Sequence, residues 1–179
     1  MSFKIPIPPS GEPEWPYDLY QLLRNERVSQ ISYVPDAGHK VLIHLFLADP
    51  EVHSIPLTTE EEGVAMSVGA HLGGGRHVVL MQSSGVGNCI NMLSLPRLGK
   101  FPFLALISMR GDFGEGNPWQ MPMGKSIRPV LEACDVVCLK VEEPSEILST
   151  VSAAITMAFQ CNESVCVLLG QKLLGAKKF

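Results

Sequence analysis

Three consecutive carboxylates, Glu60, Glu61 and Glu62, open a segment with helical character, and a small-residue elbow, Ser83-Ser84-Gly85-Val86-Gly87-Asn88, closes an apolar stretch further on. A carboxylate at a helix mouth can share a proton with a ligand, and a glycine elbow leaves backbone N–H groups free to face one. The structural alternative is equally concrete: acids in a first helical turn cap backbone N–H groups and meet the positive end of the helix dipole. Glu62 fits that role, because Thr59 and Glu62 have the spacing of a capping box. Glu60 is then the carboxylate best placed to look into a cleft. Asp36 follows Val34-Pro35 and reads either as an N-cap or as a second cleft acid. Arg110, Asp112 and Glu115 fall in one loop and read most simply as solvated charges. His39, His44 and His53 lack the spacing of a metal site.

Other readings of the elbow are weaker. A serine nucleophile at Ser83 would need glycine where Met81 stands, and a later histidine, whereas the last histidine is His77. A dinucleotide fingerprint beginning at Gly85-Val86-Gly87 finds Ile90 where its third glycine belongs.

The elements that must position these groups alternate. Helical spacing covers 17–27, 41–47, 58–72, 86–95, 123–134 and 144–159; apolar strand-like runs cover 28–34, 52–57, 77–82, 101–109, 136–141 and 164–169. The runs HVVLMQ, FPFLALISM and SVCVLL are almost continuously apolar, as in strands buried on both faces of a parallel sheet. Gly73-Gly74-Gly75 precede a strand, so they suit a helix C-cap rather than a phosphate loop. The loop from Arg110 to Pro122 is long for a compact domain, and Gly111, Gly114 and Gly116 suit a mobile lid. The expected organisation is a proline-rich arm over 1–16, pinned by Trp15 and Tyr17, one α/β domain over 17–170 with a mostly parallel sheet, and a loose polar tail over 171–179.

The chain has 179 residues, enough for one domain with a real core. A net charge of −4 and the absence of a basic cluster before the tail argue against a general nucleic-acid binder. No apolar run approaches the roughly 20 residues of a membrane span. The five cysteines form no CxxC pair and read as buried thiols of a cytoplasmic protein. The N-terminus has no apolar signal core.

Taken together, Val34-Pro35-Asp36, TEEEGVAMSVGAHLGG, QSSGVGN, Ser108-Met109-Arg110-Gly111 and Gln120 to Lys125 resemble the pyrimidine-binding half of thiamine-diphosphate-dependent 2-oxoacid decarboxylases. The likeness is closest to the sulfopyruvate decarboxylase alpha subunit and the N-terminal domain of phosphonopyruvate decarboxylase. It implies a three-layer α/β/α sandwich with six parallel strands. The family's glutamate lies nine residues before a helix glycine; with Gly69 as that glycine, Glu60 is its counterpart. Its implied role is to hydrogen-bond the cofactor's pyrimidine nitrogen and favour the imino form that removes the thiazolium proton. The resemblance implies that Glu60, Ser83, Ser84, Gly85 and Asn88 contact the cofactor and that Asp36 and Gln120 join Glu60 in catalysis. Gln120 stands where many members have a histidine in an EPQH-like stretch; it can orient but cannot donate a proton of matched pKa. The GDG…N half that holds diphosphate and Mg²⁺ is absent, which implies a separate diphosphate-binding beta subunit, active sites at subunit interfaces and no metal on this chain. Arg110 or Lys125 is the expected partner of an anionic substrate group. The alternative from another class is a non-catalytic nucleotide-binding or regulatory α/β module.

Overall fold

The computed structural model describes Pro6 and residues 8–175; the first residues of the arm and the last four of the tail lie outside the described residues. Six strands form one parallel sheet in the order β2-β1-β3-β4-β6-β5. They are β1 (Val28–Tyr33), β2 (His53–Pro56), β3 (Arg76–Gln82), β4 (Phe103–Ser108), β5 (Val137–Val141) and β6 (Ser164–Leu169). Strand alternation divides the core. Val78 and Leu80 of β3, Leu104 and Leu106 of β4, and Val165 and Val167 of β6 face one side. That side is covered by α1 (Trp15–Asn25), α2 (Lys40–Ala48) and α7 (Ile147–Cys161). Val79 and Met81, Ala105 and Ile107, and Cys166 and Leu168 face the other. There α3 (Glu60–Leu72), α4 (Val86–Cys89), α5 (Ser94–Gly99) and α6 (Met121–Ala133) pack. The three-layer α/β/α sandwich with a six-stranded parallel sheet is therefore the observed architecture.

Four expectations change in detail. The single helix over 86–95 is two short ones, and Pro96 lies in the first turn of α5, where its missing N–H costs no intrahelical bond. Proline there begins a helix instead of ending one. The stretch from Gly170 to Gly175 is packed rather than loose: α8 (Gln171–Leu174) follows β6 at once, and Gln171 is 2% exposed. Thr59 makes no side-chain cap; Glu62 instead accepts from the Thr58 N–H at 2.9 Å, so half of the expected capping box exists, displaced by one residue. All five cysteines are free, but only Cys89, Cys138 and Cys166 are buried; Cys134 is half-buried and Cys161 exposed. Burial pushes the Cys89 thiol up to about 12 and Cys138 to about 11, so neither is a thiolate at neutral pH. Trp15 is buried as the first residue of α1 and so belongs to that helix and not to the arm.

The chain turns back on itself between β1 and β3. In open parallel sheets the crevice outside the carboxyl ends of such neighbouring strands is where ligands bind. Asp36 follows β1 and the elbow follows β3, so both project from this point.

Candidate active site

Glu60 is the first residue of α3, and it is 8% exposed. Most of its surface is covered by the elbow. Its Oε2 accepts from Asn88 Nδ2 at 2.8 Å, across the elbow. Its carboxyl group lies against Gly85, where any Cβ would collide with it. Glycine is thus required at 85 by close approach and not by backbone angle, since its φ is −69°. Glu60 Oε1 has no donor among the described residues. A carboxylate that is nearly buried, gripped through one oxygen and free at the other fits a ligand that brings its own N–H.

Asp36 anchors the second half of the site. Its Oδ2 accepts from Ser108 Oγ at 2.5 Å and from the Gly38 N–H at 2.9 Å; its Oδ1 accepts from Gln82 Nε2 at 3.1 Å. Burial pushes this carboxyl up, but the Ser108 hydroxyl, the nearby His39 ring and the Gln82 and Gly38 donors together outweigh it and hold the group below its ordinary value. Asp36 is consequently a fixed anion at neutral pH. Gln82 also accepts from Ser84 Oγ at 2.8 Å. A chain of polar side chains therefore links Asp36 to the elbow that grips Glu60. A Cβ at Gly38 would collide with Ser108, so glycine is what lets the loop after β1 close onto β4.

The remaining candidates scatter. Ser83 is fully buried and its hydroxyl accepts from the Arg110 N–H at 3.0 Å, so it ties β3 to the end of β4 and presents nothing to a ligand. Ser84 and Asn88 are exposed at the elbow. Gln120 sits at the start of α6, with its backbone against Gly111 and its side-chain Oε1 buried without a partner. Lys125 is exposed on α6 and forms no ion pair among the described residues.

Arg110 and Glu115 are not solvated charges. Arg110 Nε and Nη2 donate to the two oxygens of Glu115 at 2.6 and 2.7 Å. Glu115 also accepts from the Gly111 and Asn117 N–H groups and from Gln171 Nε2. The Arg110 guanidinium holds the Glu115 carboxyl down to about 2. The loop expected to be a mobile lid is thereby fastened at several points. Arg110, Asp36, Ala37, Ser108, Gln171 and Leu174 border a cleft of about 90 Å³. The groups that sequence reasoning missed are Gln82, Ser108, Glu115 and Gln171. Three of them share a signal: each is a polar residue at, or two residues beyond, the carboxyl end of a strand buried on both faces.

No family model matches the chain. The alpha subunit of sulfopyruvate decarboxylase from Methanocaldococcus jannaschii is 35% identical over 151 residues, covering 84% of this chain and 89% of that protein. The chain belongs to the sulfopyruvate decarboxylase alpha-subunit family. The resemblance seen in the sequence thus holds over most of the chain. Phosphonopyruvate decarboxylase from Streptomyces viridochromogenes is 32% identical over 139 residues, 76% of this chain but 35% of that protein. Among solved structures, 2-oxoglutarate:ferredoxin oxidoreductase from Magnetococcus marinus superposes with a TM-score of 0.73 at 15% identity, over 89% of this chain and 29% of that one. Benzoylformate decarboxylase from Polynucleobacter necessarius gives 0.67 at 15% identity, over 92% and 31%. These two share the fold of this alpha-subunit family member.

Proposed function

We propose that the chain is the pyrimidine-binding alpha subunit of a thiamine-diphosphate-dependent decarboxylase acting on a small 2-oxoacid of the sulfopyruvate or phosphonopyruvate kind. The observation that carries this reading is the half-satisfied Glu60 carboxylate, held by Asn88 against Gly85. When bound, thiamine diphosphate supplies the electron sink that lets carbon dioxide leave a 2-oxoacid. Glu60 holds or accepts a proton at Oε1, facing a ring nitrogen. The elbow fixes the distance, because Gly85 admits the carboxyl group and Asn88 sets its rotation. Asp36 stays ionised in its cage of three donors and orients a proton-bearing group without holding a proton itself. Ser84 and Asn88 line the approach to the elbow, and Gln120 orients only. Arg110 meets the substrate's anionic end, with Lys125 the alternative.

A diphosphate-binding beta subunit completes the enzyme and holds the Mg²⁺. The names of the alpha-subunit relatives support a second subunit. So does the surface of the α3–α6 layer, which exposes Leu72, Ile90, Leu98 and Trp119, the last two at 85% and 84%. Five unpaired thiols suit a reducing compartment, and we place the protein in the cytoplasm. Among the described residues no helix is long and apolar enough to cross a membrane.

The test is proton–deuterium exchange at the cofactor's thiazolium carbon in the complex of the chain with its diphosphate-binding partner. Glu60→Gln should slow exchange while the cofactor stays bound. Wild-type exchange in that variant would mean that the cofactor's pyrimidine rests on another carboxylate than Glu60.

A further inference from the structure

Gln171 spends every polar group of its side chain on one loop. Its Oε1 accepts from the Asp112 and Phe113 N–H groups at 3.1 and 3.2 Å, and its Nε2 donates to Glu115 at 3.0 Å. Its own backbone N–H donates to Asp112 Oδ1 at 3.2 Å. Gln171 directly follows Gly170, which follows the interior strand β6, paired on both sides by β4 and β5, so it rests on a rigid element. The loop it grips turns twice through positive φ, at Gly111 and Gly114, where backbone preference alone would not select one conformation.

The grip reaches Arg110 through Glu115. Arg110 Nε and Nη2 are spent on Glu115, and Nη1 has no acceptor among the described residues. Arg110 lines the same cleft as Asp36 and Ser108. A guanidinium held along one edge keeps its other edge available to an oxyanion, at a fixed angle and with little left to lose in side-chain freedom. Asp36, ionised nearby, repels an anion that is not so held.

We propose that Gln171 is a positioning residue for substrate selection: through Glu115 it sets the free edge of Arg110 in the cleft, and so selects 2-oxoacids that carry a second, tetrahedral oxyanion such as sulfonate. This rests on the reading of the cleft as a 2-oxoacid site. It assigns no chemistry to Gln171, which acts only through Arg110.

The experiment compares wild type, Gln171→Leu, Arg110→Ala and the double variant, each in complex with the diphosphate-binding partner. Two quantities are read: the ratio of kcat/KM for sulfopyruvate over pyruvate, and binding of the unreactive 2-hydroxy-3-sulfopropionate by calorimetry. Gln171→Leu should lower the ratio by about tenfold or more, through KM, because a site built around a polar group discriminates strongly by it. The double variant should lose no more than Arg110→Ala alone, since residues acting in series are not additive. Equal losses on both substrates, or additive losses, would make Gln171 a merely structural residue and overturn the proposal. Turnover with selectivity and analogue binding unchanged in Gln171→Leu would overturn it alone. A complex that decarboxylates no 2-oxoacid but loses analogue binding in Gln171→Leu would sink the decarboxylase reading and keep the anion site. Neither turnover nor binding in wild type would end both.

Discussion

Two buried acids, one on each face of the sheet, show how differently the same chemical group can be used. Asp49 ends α2 with a side chain fully removed from water and every contact filled. Tyr20 donates to it at 2.7 Å, Arg24 pairs with it at 2.7 Å, and the Glu51 N–H caps its other oxygen at 2.9 Å. Glu60 opens α3 almost as deeply, with one donor on one oxygen. The layers around them follow suit. The α1–α2–α7 side seals its core with Tyr20 packed on Phe46. The α3–α6 side leaves Leu98 and Trp119 in solvent. A closed set of partners serves folding, whereas the free oxygen of Glu60 stays available to a donor from outside the fold.

Removing each acid should split stability from activity in opposite ways, and these are the largest effects expected. Glu60→Gln in the assembled enzyme should reduce turnover by about 10²-fold or more, the range of lost acid–base catalysis. Its melting temperature should hardly move. Asp49→Ala should destabilise the chain by about 3 kcal/mol or more in urea, because it removes a fully buried carboxylate that accepts from Tyr20 and pairs with Arg24. Activity per folded molecule should survive. A large stability loss in Glu60→Gln, or an activity loss in folded Asp49→Ala, would erase the distinction between the two acids.

The contrast between the layers can be broken at the surface. Trp119→Ala and Leu98→Asp should leave the unfolding curve of the isolated chain within about 0.5 kcal/mol of wild type, as exposed positions do. If that layer seats the partner over roughly 1,600 Å², each should weaken association in sedimentation velocity. Trp119 should weigh more, since hot spots favour tryptophan and cost about 2 kcal/mol or more. Leu148→Asp, on the opposite layer, is the control. Equal effects on the two layers would show that the exposed apolar groups mark no interface.

Acid should sharpen the comparison further. Because Arg110 lowers the pKa of Glu115, the folded state binds this proton less readily than the unfolded one. The stabilisation is present above the ordinary glutamate value of 4.5 and is lost as pH falls toward about 2. The stability gap between wild type and Glu115→Gln should therefore narrow over that window. His77 behaves with the same sign for another reason: burial pushes it from 6.5 down to about 3. Its neutral form is favoured by folding, so stability should fall as pH drops below 6.5, less so in His77→Phe if the cavity accepts the ring. The smallest effect belongs to Glu62→Gln, which still offers Thr58 an acceptor and should cost under about 0.5 kcal/mol.

Local pattern was enough for the layers. Continuous apolar runs such as HVVLMQ and SVCVLL, short and rich in β-branched residues, read as strands buried on both faces, and the structure forms them as β3 and β6. Among the three adjacent glutamates it was the family resemblance, with its nine-residue interval to Gly69, that pointed to Glu60, and the structure finds Glu60 buried against the elbow while Glu61 and Glu62 are exposed. Boundaries were less legible where proline can begin or end a helix, as at Pro96. What only the tertiary structure decided is which polar groups are already spoken for. Arg110 and Glu115 look like free loop charges in the sequence; their pairing depends on two glycine turns and on Gln171, far away in the chain. Ser83 looked like a ligand contact and is a tie between strands. Apolar burial follows from composition along a single segment, whereas the satisfaction of a hydrogen bond depends on two atoms whose distance and angle are set by everything folded between them.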